Sequence, residues 1–175
     1  MQPSSASTPL QSVASDYDYL TLDIAALSQN KKINRYGYVV GGVGFLVPHN
    51  TLSEVLRKYT LYSIPNTKAW LRGLVNLRGN LIPAFDVSML FGFQNTATHY
   101  ENLLILDKGA DAVGILINKL PVVCDVESWQ PVAEQIAGVP GLETYTSEVY
   151  KNGEMIWSCF DHKAYFRSIK SDVAV

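Results

Sequence analysis

Residues 71–87 read LRGLVNLRGNLIPAFDV, and this stretch decides the fold because it predicts two strands joined by a tight turn. An apolar run at 74–77 is interrupted around Arg78 and Gly79 and resumes at 81–85. Gly79 stands where the chain must reverse, and glycine tolerates the positive φ that tight reversals need. Pro83 has no amide hydrogen to donate, so we expect its strand to lie at a sheet edge or to bulge there.

Arg78 is the candidate recognition residue of this hairpin. Its guanidinium is difficult to bury at a turn between apolar strands, and it suits recognition of a carboxylate on a partner. Alternatively, Arg78 could pair with Glu54 or Asp86 and simply lock two strands together. The Asn76 side chain could bond the backbone of the turn, and Asp86 is a natural N-cap for a short helix that follows it.

Trp70 and Arg72 lie just before this hairpin. Exposed Trp and Arg are the residue types that dominate interface energetics, which favours a contact surface here. Burial of Trp70 between two subdomains is the alternative.

Short strands and turn signals recur along the rest of the chain and predict a mainly β fold, a barrel or a sandwich. The pairs Gly41-Gly42 and Asn152-Gly153 each separate two apolar strands, as two-residue hairpin turns do. The predicted elements are strands at 36–40, 43–47, 102–107, 112–119, 122–126, 146–150 and 154–160, a helix or bent strand at 51–60, a loop at 131–140, and a terminal helix at 161–169 capped by Asp161.

The 175 residues, 47% of them hydrophobic, suffice for one domain or two joined subdomains with a core. Residues 1–16 are predicted to be a disordered tail, and residues 17–35 an extension that packs on the body. No basic residue precedes Lys31, so we expect no signal peptide, and the longest apolar stretch, residues 36–47, is too short to span a membrane. Cys124 and Cys159 lie far apart, which favours free thiols in a reducing cytosol.

The net charge of −2 is unevenly distributed. Residues 31–80 carry eight bases and one acid, whereas residues 81–150 carry two bases and nine acids. Two faces of opposite sign, which could steer partners, are one interpretation. The alternative is that folding mixes both halves on one surface and cancels the field.

Catalytic residues, metal ligands and cofactors are not predicted. The three histidines are scattered, and the chain contains no hydrolase, zincin or phosphate-loop motif. One rival function is single-stranded nucleic-acid binding, because the basic part contains several aromatic residues. Tyr36 and Tyr38 lie on one face of their strand, however, which favours a core-facing stripe, and the acidic net charge also argues against nucleic acid.

The chain resembles the CheW-like adaptor family at several fixed spacings. The residues that carry the motif are Gly73, Asn76, Arg78, Gly79, Pro83 and Asp86. Val47-Pro48, Glu54-Val55 and the glycine-led strand at 114–117 resemble further family features, so the likeness runs from about residue 36 to 166. Residues 65–86, with Trp70, look most like the type IV pilus, or twitching-motility, branch. Asn118 departs from the Asp usual in the family, so site predictions are confined to the first half.

The resemblance implies a CheW-like domain at residues 36–169, built of two small five-stranded β-barrel subdomains with short helices, and a C-terminal tail at 170–175. It also favours a strand for the middle of residues 51–60. It implies a non-enzymatic cytoplasmic adaptor, recruited to membrane-associated receptor arrays without inserting in the membrane. The expected partners are the cytoplasmic tip of a chemoreceptor and the regulatory domain of a CheA-like histidine kinase, in twitching or in flagellar chemotaxis. The expected partner-binding residues are Leu52, Glu54, Trp70, Arg72, Asn76, Arg78 and Gly79, and the expected structural residues are Gly41, Gly42, Gly73, Pro83, Asp86 and Gly153.

Overall fold

The first hairpin of the described structure has the glycine turn and the alternating apolar residues that the sequence predicts. The computed structural model of the protein describes residues 34–93, 99–133 and 141–173. Strand β1 (Asn34–Val40) pairs with β2 (Val43–Leu46), and the turn between them is Gly41-Gly42. Their φ angles of 59° and 85° lie in the left-handed region, which glycine adopts without steric cost.

Short strands account for most of the regular secondary structure in the rest of the described chain, with two short α-helices and four 3₁₀ turns. The strands are β3 (Ser53–Leu56), β4 (Leu71–Leu77), β5 (Asn80–Phe85), β6 (Asn102–Leu106), β7 (Val113–Ile117), β8 (Val122–Asp125), β9 (Gln130–Pro131), β10 (Thr146–Asn152) and β11 (Met155–Phe160). The helices are α1 (Val87–Leu90) and α2 (His162–Ser168), and the 3₁₀ turns are Gly109–Asp111, Val126–Ser128, Leu142–Tyr145 and Lys170–Asp172.

The strands form two sheets, which confirms the mainly β prediction. One sheet has five strands in the order β3-β6-β7-β5-β4, and the other has six in the order β8-β1-β2-β11-β10-β9. The sixth strand was not expected: it is the two-residue β9, which pairs with Tyr150 and Lys151 of β10. Strand β11 runs parallel to β2, so the C-terminal part of the chain completes the sheet that β1 begins.

Buried side chains form three clusters that explain the two-sheet arrangement. The largest lies between the sheets and contains Phe45 and Phe160 from one sheet and Phe85 and Ile115 from the other. A second cluster draws only on the five-stranded sheet and the residues next to it, and a third only on the six-stranded sheet and the residues next to it. Each subdomain therefore has a small core of its own beside a core that both share.

The five-stranded sheet curls until its two edge strands approach each other. Strands β3 and β4 end the strand order, yet Tyr62, beyond β3, exchanges two backbone hydrogen bonds of 2.8 Å with Leu74 of β4. We call the line along which these edges meet the seam. Gly73 lies beside this contact, with a φ of 139° and the carbonyl oxygen of Tyr62 only 2.4 Å from the position that a Cβ would take.

Pro83 departs from the expectation that its strand lies at an edge, because β5 lies between β7 and β4. Proline is tolerated there since β7 pairs with β5 only at Ala84 and Phe85. An irregularity in the β4–β5 register lies nearby, between Leu71 and Gly73.

The turn that ends β10 is also shifted from its predicted position. Asn152 lies in the strand opposite Met155, so the turn is Gly153-Glu154 and not Asn152-Gly153. The structure confirms the strand at Ser53–Leu56 and the terminal helix, whose N-cap Asp161 accepts a hydrogen bond from the Ala164 amide. The tail at 1–16, nearly all of the extension at 17–35 and most of the loop at 131–140 lie outside the described residues.

Candidate functional site at the Arg78–Glu54 ion pair

Arg78 and Gly79 are the two central residues of the β4–β5 hairpin turn. Their φ angles are 51° and 84°, so both lie in the left-handed region that a type I′ turn requires. The Asn76 side-chain oxygen accepts a hydrogen bond of 2.9 Å from the Gly79 amide and holds the turn. Asn, Asp or Gly usually fills the first central position, and a residue such as Arg there costs roughly 1–2 kcal/mol. The turn therefore presents a long cationic side chain where local backbone preference would choose another residue.

The Arg78 guanidinium grips the Glu54 carboxylate with two hydrogen bonds. Nη2 lies 2.9 Å from Oε1 and Nη1 lies 3.2 Å from Oε2, the planar fork-to-fork geometry that arginine makes with a carboxylate. The Arg78 side chain is 58% exposed and the Glu54 side chain 17%. Of the alternatives that the sequence left open, the structure shows the pair with Glu54.

This ion pair spans the seam, since Glu54 lies on β3 and Arg78 follows β4. An ion pair at a wet surface stabilises a fold by only about 0–1 kcal/mol. The two edges are also held by the Tyr62–Leu74 backbone contact and by the cores. Stability alone therefore gives little reason for an arginine in this turn.

An exposed leucine lies close in sequence to each member of the ion pair. Leu52 is 53% exposed, and Leu81, opposite Asn76 in the β4–β5 pair, is 64% exposed. The Leu52 carbonyl accepts a hydrogen bond from the Asp107 amide, which fixes its position. Sequence reasoning missed Leu81. Side chains alternate between the two faces of β5, so Leu81 lies on the face opposite buried Ile82 and Ala84, and this period of two could have identified it.

Trp70 and Arg72 do not join this group. The Trp70 ring is partly buried and stacks on Phe85 at a centroid distance of 6.0 Å, which agrees with the burial alternative. Arg72 lies near the other end of β4, six residue steps from Arg78, which corresponds to roughly 20 Å along the strand. The predicted partner-binding residues thus divide between the two ends of one strand.

Asp86 is buried and organises the Arg72 end of the strand. One carboxylate oxygen accepts from the Met89 amide at 3.0 Å and caps α1, as the sequence predicts. The same oxygen accepts from the Tyr100 hydroxyl at 2.7 Å, and the other lies 3.4 Å from Arg72 Nη1. Burial, together with the bond to Asp86, raises the pKa of Tyr100 above its usual range. The sequence pointed to the cap but not to Tyr100.

Residues with catalytic potential are few in the described structure. His162 is buried and its Nε2 lies 2.6 Å from Asp107, whose second oxygen bonds Lys163, so this pair fixes α2 to the end of β6. Cys124 and Cys159 are free and buried. Across residues 34–93, 99–133 and 141–173, no three His, Cys, Asp or Glu side chains are placed to hold a metal ion. No helix in these ranges is long and apolar enough to cross a membrane.

Comparison with known proteins adds a family to this geometry. The family of CheW-like domains matches this chain over residues 37–170. Protein PilI of Pseudomonas aeruginosa is 25% identical over 85 residues, 48% of each chain. Chemotaxis protein CheW of Helicobacter pylori is 26% identical over 88 residues, 48% of this chain and 52% of that protein. The chain thus spans about half the length of these curated relatives.

A solved structure shares the fold. The crystal structure of the scaffolding protein TtCheW from Thermoanaerobacter tengcongensis superposes with a TM-score of 0.57 and covers 73% of this chain and 87% of its own. The identity is 16%, so this likeness concerns the fold alone. The matched range, residues 37–170, contains both edges of the seam and the Arg78–Glu54 pair.

Proposed function

Because the chain belongs to the family of CheW-like domains, whose members are scaffold and coupling adaptors, we propose that it joins a chemoreceptor to a histidine kinase. In this proposal it binds the cytoplasmic tip of a methyl-accepting receptor and the regulatory domain of a CheA-like kinase. It catalyses no reaction and is recruited to membrane-associated receptor arrays from the cytoplasm.

The pathway that we propose is type IV pilus twitching motility. The similarity to PilI and the pilus-like stretch at residues 65–86 favour it. A role in flagellar chemotaxis is the alternative, because the similarity to the chemotaxis protein CheW has nearly the same identity and length.

The observation that carries the proposal is Arg78, held at φ 51° in a turn that favours other residues. Strained backbone positions persist where the surrounding structure enforces them, and they concentrate at functional sites. The strain presents a guanidinium on a rigid hairpin, with exposed Leu52 and Leu81 on the flanking segments. A receptor carboxylate could compete with Glu54 for the same guanidinium, so that binding exchanges one ion pair for another and costs little electrostatic energy.

Arg78→Asn tests this role because asparagine suits the left-handed turn and removes the guanidinium together with its hydrogen bonds to Glu54. We expect the melting temperature to stay level or rise slightly. Affinity for a purified receptor-tip fragment should fall, by roughly 2–5 kcal/mol if the receptor carboxylate stays buried and by much less at a wet rim. Arg78→Glu should bind more weakly still, since it adds repulsion.

Two further variants separate recognition from stability. Glu54→Gln removes the internal competitor, so its receptor affinity should stay level or increase. Lys151→Gln removes an exposed cation from the other sheet and should leave affinity unchanged. A fall in melting temperature with unaltered receptor affinity in Arg78→Asn would place the receptor site elsewhere on the molecule.

The nucleic-acid alternative has less support in this geometry. Tyr38 is buried, Tyr36 packs against the shared core and Trp70 stacks on Phe85. These rings are therefore not available together as a stacking surface for bases.

A further inference from the structure

An open cleft lies at the Arg72 end of the five-stranded sheet, away from Arg78. Its volume is about 640 Å³. The segment that follows β3, the start of β4 and the segment before β6 form its walls, and Leu116 of β7 contributes to its lining. None of the residues used above for receptor binding at the hairpin lines it.

Three cations surround this cleft, which we call the basic cleft. They are Arg57, Lys58 and Arg72, and the one carboxylate in the lining is that of Glu101. Arg57 and Lys58 are exposed and take part in none of the ion pairs found among the described residues. The third, Arg72, is only loosely held, at 3.4 Å from Asp86. The cleft thus concentrates positive charge that the fold itself leaves largely uncompensated.

Arg72 reaches the cleft because β4 is irregular at this point. The register of β4 against β5 shifts between Leu71 and Gly73, which leaves Arg72 outside the regular pairing. Irregularities of this kind redirect a side chain, and they are frequent beside binding sites. Gly73 then lets the chain pass against the backbone of Tyr62.

The lining also contains Thr60 and His99, and its remaining residues are leucines and tyrosines. Leu61, Leu116 and the rings of Tyr59 and Tyr100 contribute to it. The Tyr59 hydroxyl donates to the Tyr100 carbonyl at 3.1 Å, and the Tyr100 hydroxyl donates to Asp86 at 2.7 Å. Because both rings are tied to the framework, a ligand would find these walls already ordered, which lowers the entropic cost of binding.

We propose that the basic cleft docks an acidic segment of a partner protein, with an apolar side chain on the leucines and tyrosines and flanking carboxylates on Arg57, Lys58 and Arg72. Charge complementarity selects an acidic occupant. Because the cleft is open, an isolated small anion would remain largely hydrated in it, whereas small-molecule pockets normally enclose most of their ligand. The open shape of the cleft therefore favours a protein segment. The cleft lies roughly 20 Å from Arg78 along β4, so a second partner can dock while the hairpin is occupied.

The experiment uses the full chain and a fluorescein-labelled peptide that repeats Asp-Leu-Glu, with binding followed by fluorescence anisotropy. We expect saturable binding at low ionic strength that weakens strongly at about 1 M salt, where the Debye length is about 3 Å. A matched peptide that repeats Asn-Leu-Gln lacks the carboxylates and tests the contribution of charge. A peptide that repeats Asp-Ala-Glu lacks the leucines and tests the contribution of the apolar contact. Both should bind at least about tenfold more weakly, a loss of about 1.4 kcal/mol.

The decisive variant is Arg57→Gln combined with Lys58→Gln, because neither side chain supports the fold. It should weaken the Asp-Leu-Glu peptide about tenfold or more, whereas Lys151→Gln should leave binding unchanged. Arg72→Gln should also weaken binding, but its contact with Asp86 makes it secondary evidence. Absence of peptide binding, equal binding of the alanine peptide, or no effect of the double variant would each overturn the proposal. So would tighter binding of an oligothymidylate at the same cations, which would assign the cleft to nucleic acid.

Discussion

Replacing Gly73 by alanine should damage the seam, and the structure sets the size of the effect. The added Cβ would lie 2.4 Å from the backbone oxygen of Tyr62, and a backbone atom cannot turn aside as a side chain can. The alanine would also have to adopt a φ of 139°, in a region that side chains rarely enter. Both effects act on the same contact between β4 and the segment after β3.

The expected free-energy cost has two parts. Holding a residue other than glycine at such a φ costs roughly 1–3 kcal/mol. Moving Tyr62 away disturbs its two hydrogen bonds to Leu74, at roughly 0.5–1.5 kcal/mol each. The sum, roughly 2–6 kcal/mol, is a large share of the 5–15 kcal/mol that typically stabilises a domain.

Gly79→Ala is the matched control. Gly79 also has a positive φ, 84°, but nothing lies within 4 Å of the Cβ that alanine would add. It should therefore cost only the backbone term, roughly 1–2 kcal/mol.

Urea unfolding followed by circular dichroism measures both variants. Thermal melting offers a second readout, at about 2–4 °C per kcal/mol for a chain of this size. Equal costs for Gly73→Ala and Gly79→Ala would refute the close approach at the seam, because the two variants differ chiefly in the clash with Tyr62.

Three further predictions concern charged and buried groups. The Arg167 hydrogen bond lowers the pKa of Asp111. This ion pair therefore stabilises the fold at a pH above the usual Asp pKa, and the stabilisation is lost as pH falls through the lowered pKa. Arg167→Gln should flatten the acid side of a plot of the urea unfolding midpoint against pH. Burial raises the pKa of the Cys124 thiol to about 11, so mass spectrometry should find Cys124 unalkylated by iodoacetamide in the native protein at about pH 8 and alkylated once urea unfolds it. Glu148→Ala should lower the free energy of urea unfolding by about 1–2 kcal/mol, because it removes the carboxylate that pairs with the buried Arg35 guanidinium. The half-exposed position of Glu148 moderates this loss. A cost below about 0.5 kcal/mol would show that the Glu148 carboxylate does not stabilise the buried Arg35.

Local chemistry accounts for what the sequence predicted well. The Gly41-Gly42 turn, the Asp86 and Asp161 caps and the reversal at Gly79 each depend on a few neighbouring residues. Such signals survive folding because tertiary contacts rarely change the preference of glycine for positive φ or of Asp for an N-cap. The error of one residue at Gly153 is of the same local kind, since the strand pairing extended through Asn152.

Contacts between distant parts of the chain were beyond the same reasoning. The parallel pairing of β2 with β11 joins residues such as Leu46 and Cys159, and no periodicity in the sequence records it. Arg35 illustrates the same limit, because a cation in an amphipathic strand would be expected at the surface, yet it is buried against Glu148 and Cys159.

The candidate site shows both sides of this limit. The sequence identified Arg78 and offered Glu54 and Asp86 as equal partners, since both are acids near the hairpin. The choice depends on the curl of the sheet, which brings β3 to the hairpin tip and leaves Asp86 buried near Arg72. The sequence also listed Trp70 and Arg72 beside Arg78, and the structure places them at the other end of β4, because closeness in sequence along an extended strand becomes distance in space.

The two ends of β4 are built by opposite uses of glycine, and this bears on how an adaptor could work. At the tip, Gly79 forms a turn that holds Arg78 exposed to solvent and paired with Glu54. At the other end, Gly73 lets two backbones meet, which closes the seam beside the fixed lining of the basic cleft. The strand β4, paired with β5 along its length, joins the two ends, and a coupling protein needs a fixed separation if it is to hold two partners in a defined geometry. In the proposed adaptor role, flexibility in β4 would therefore impair coupling even if each surface kept its own affinity.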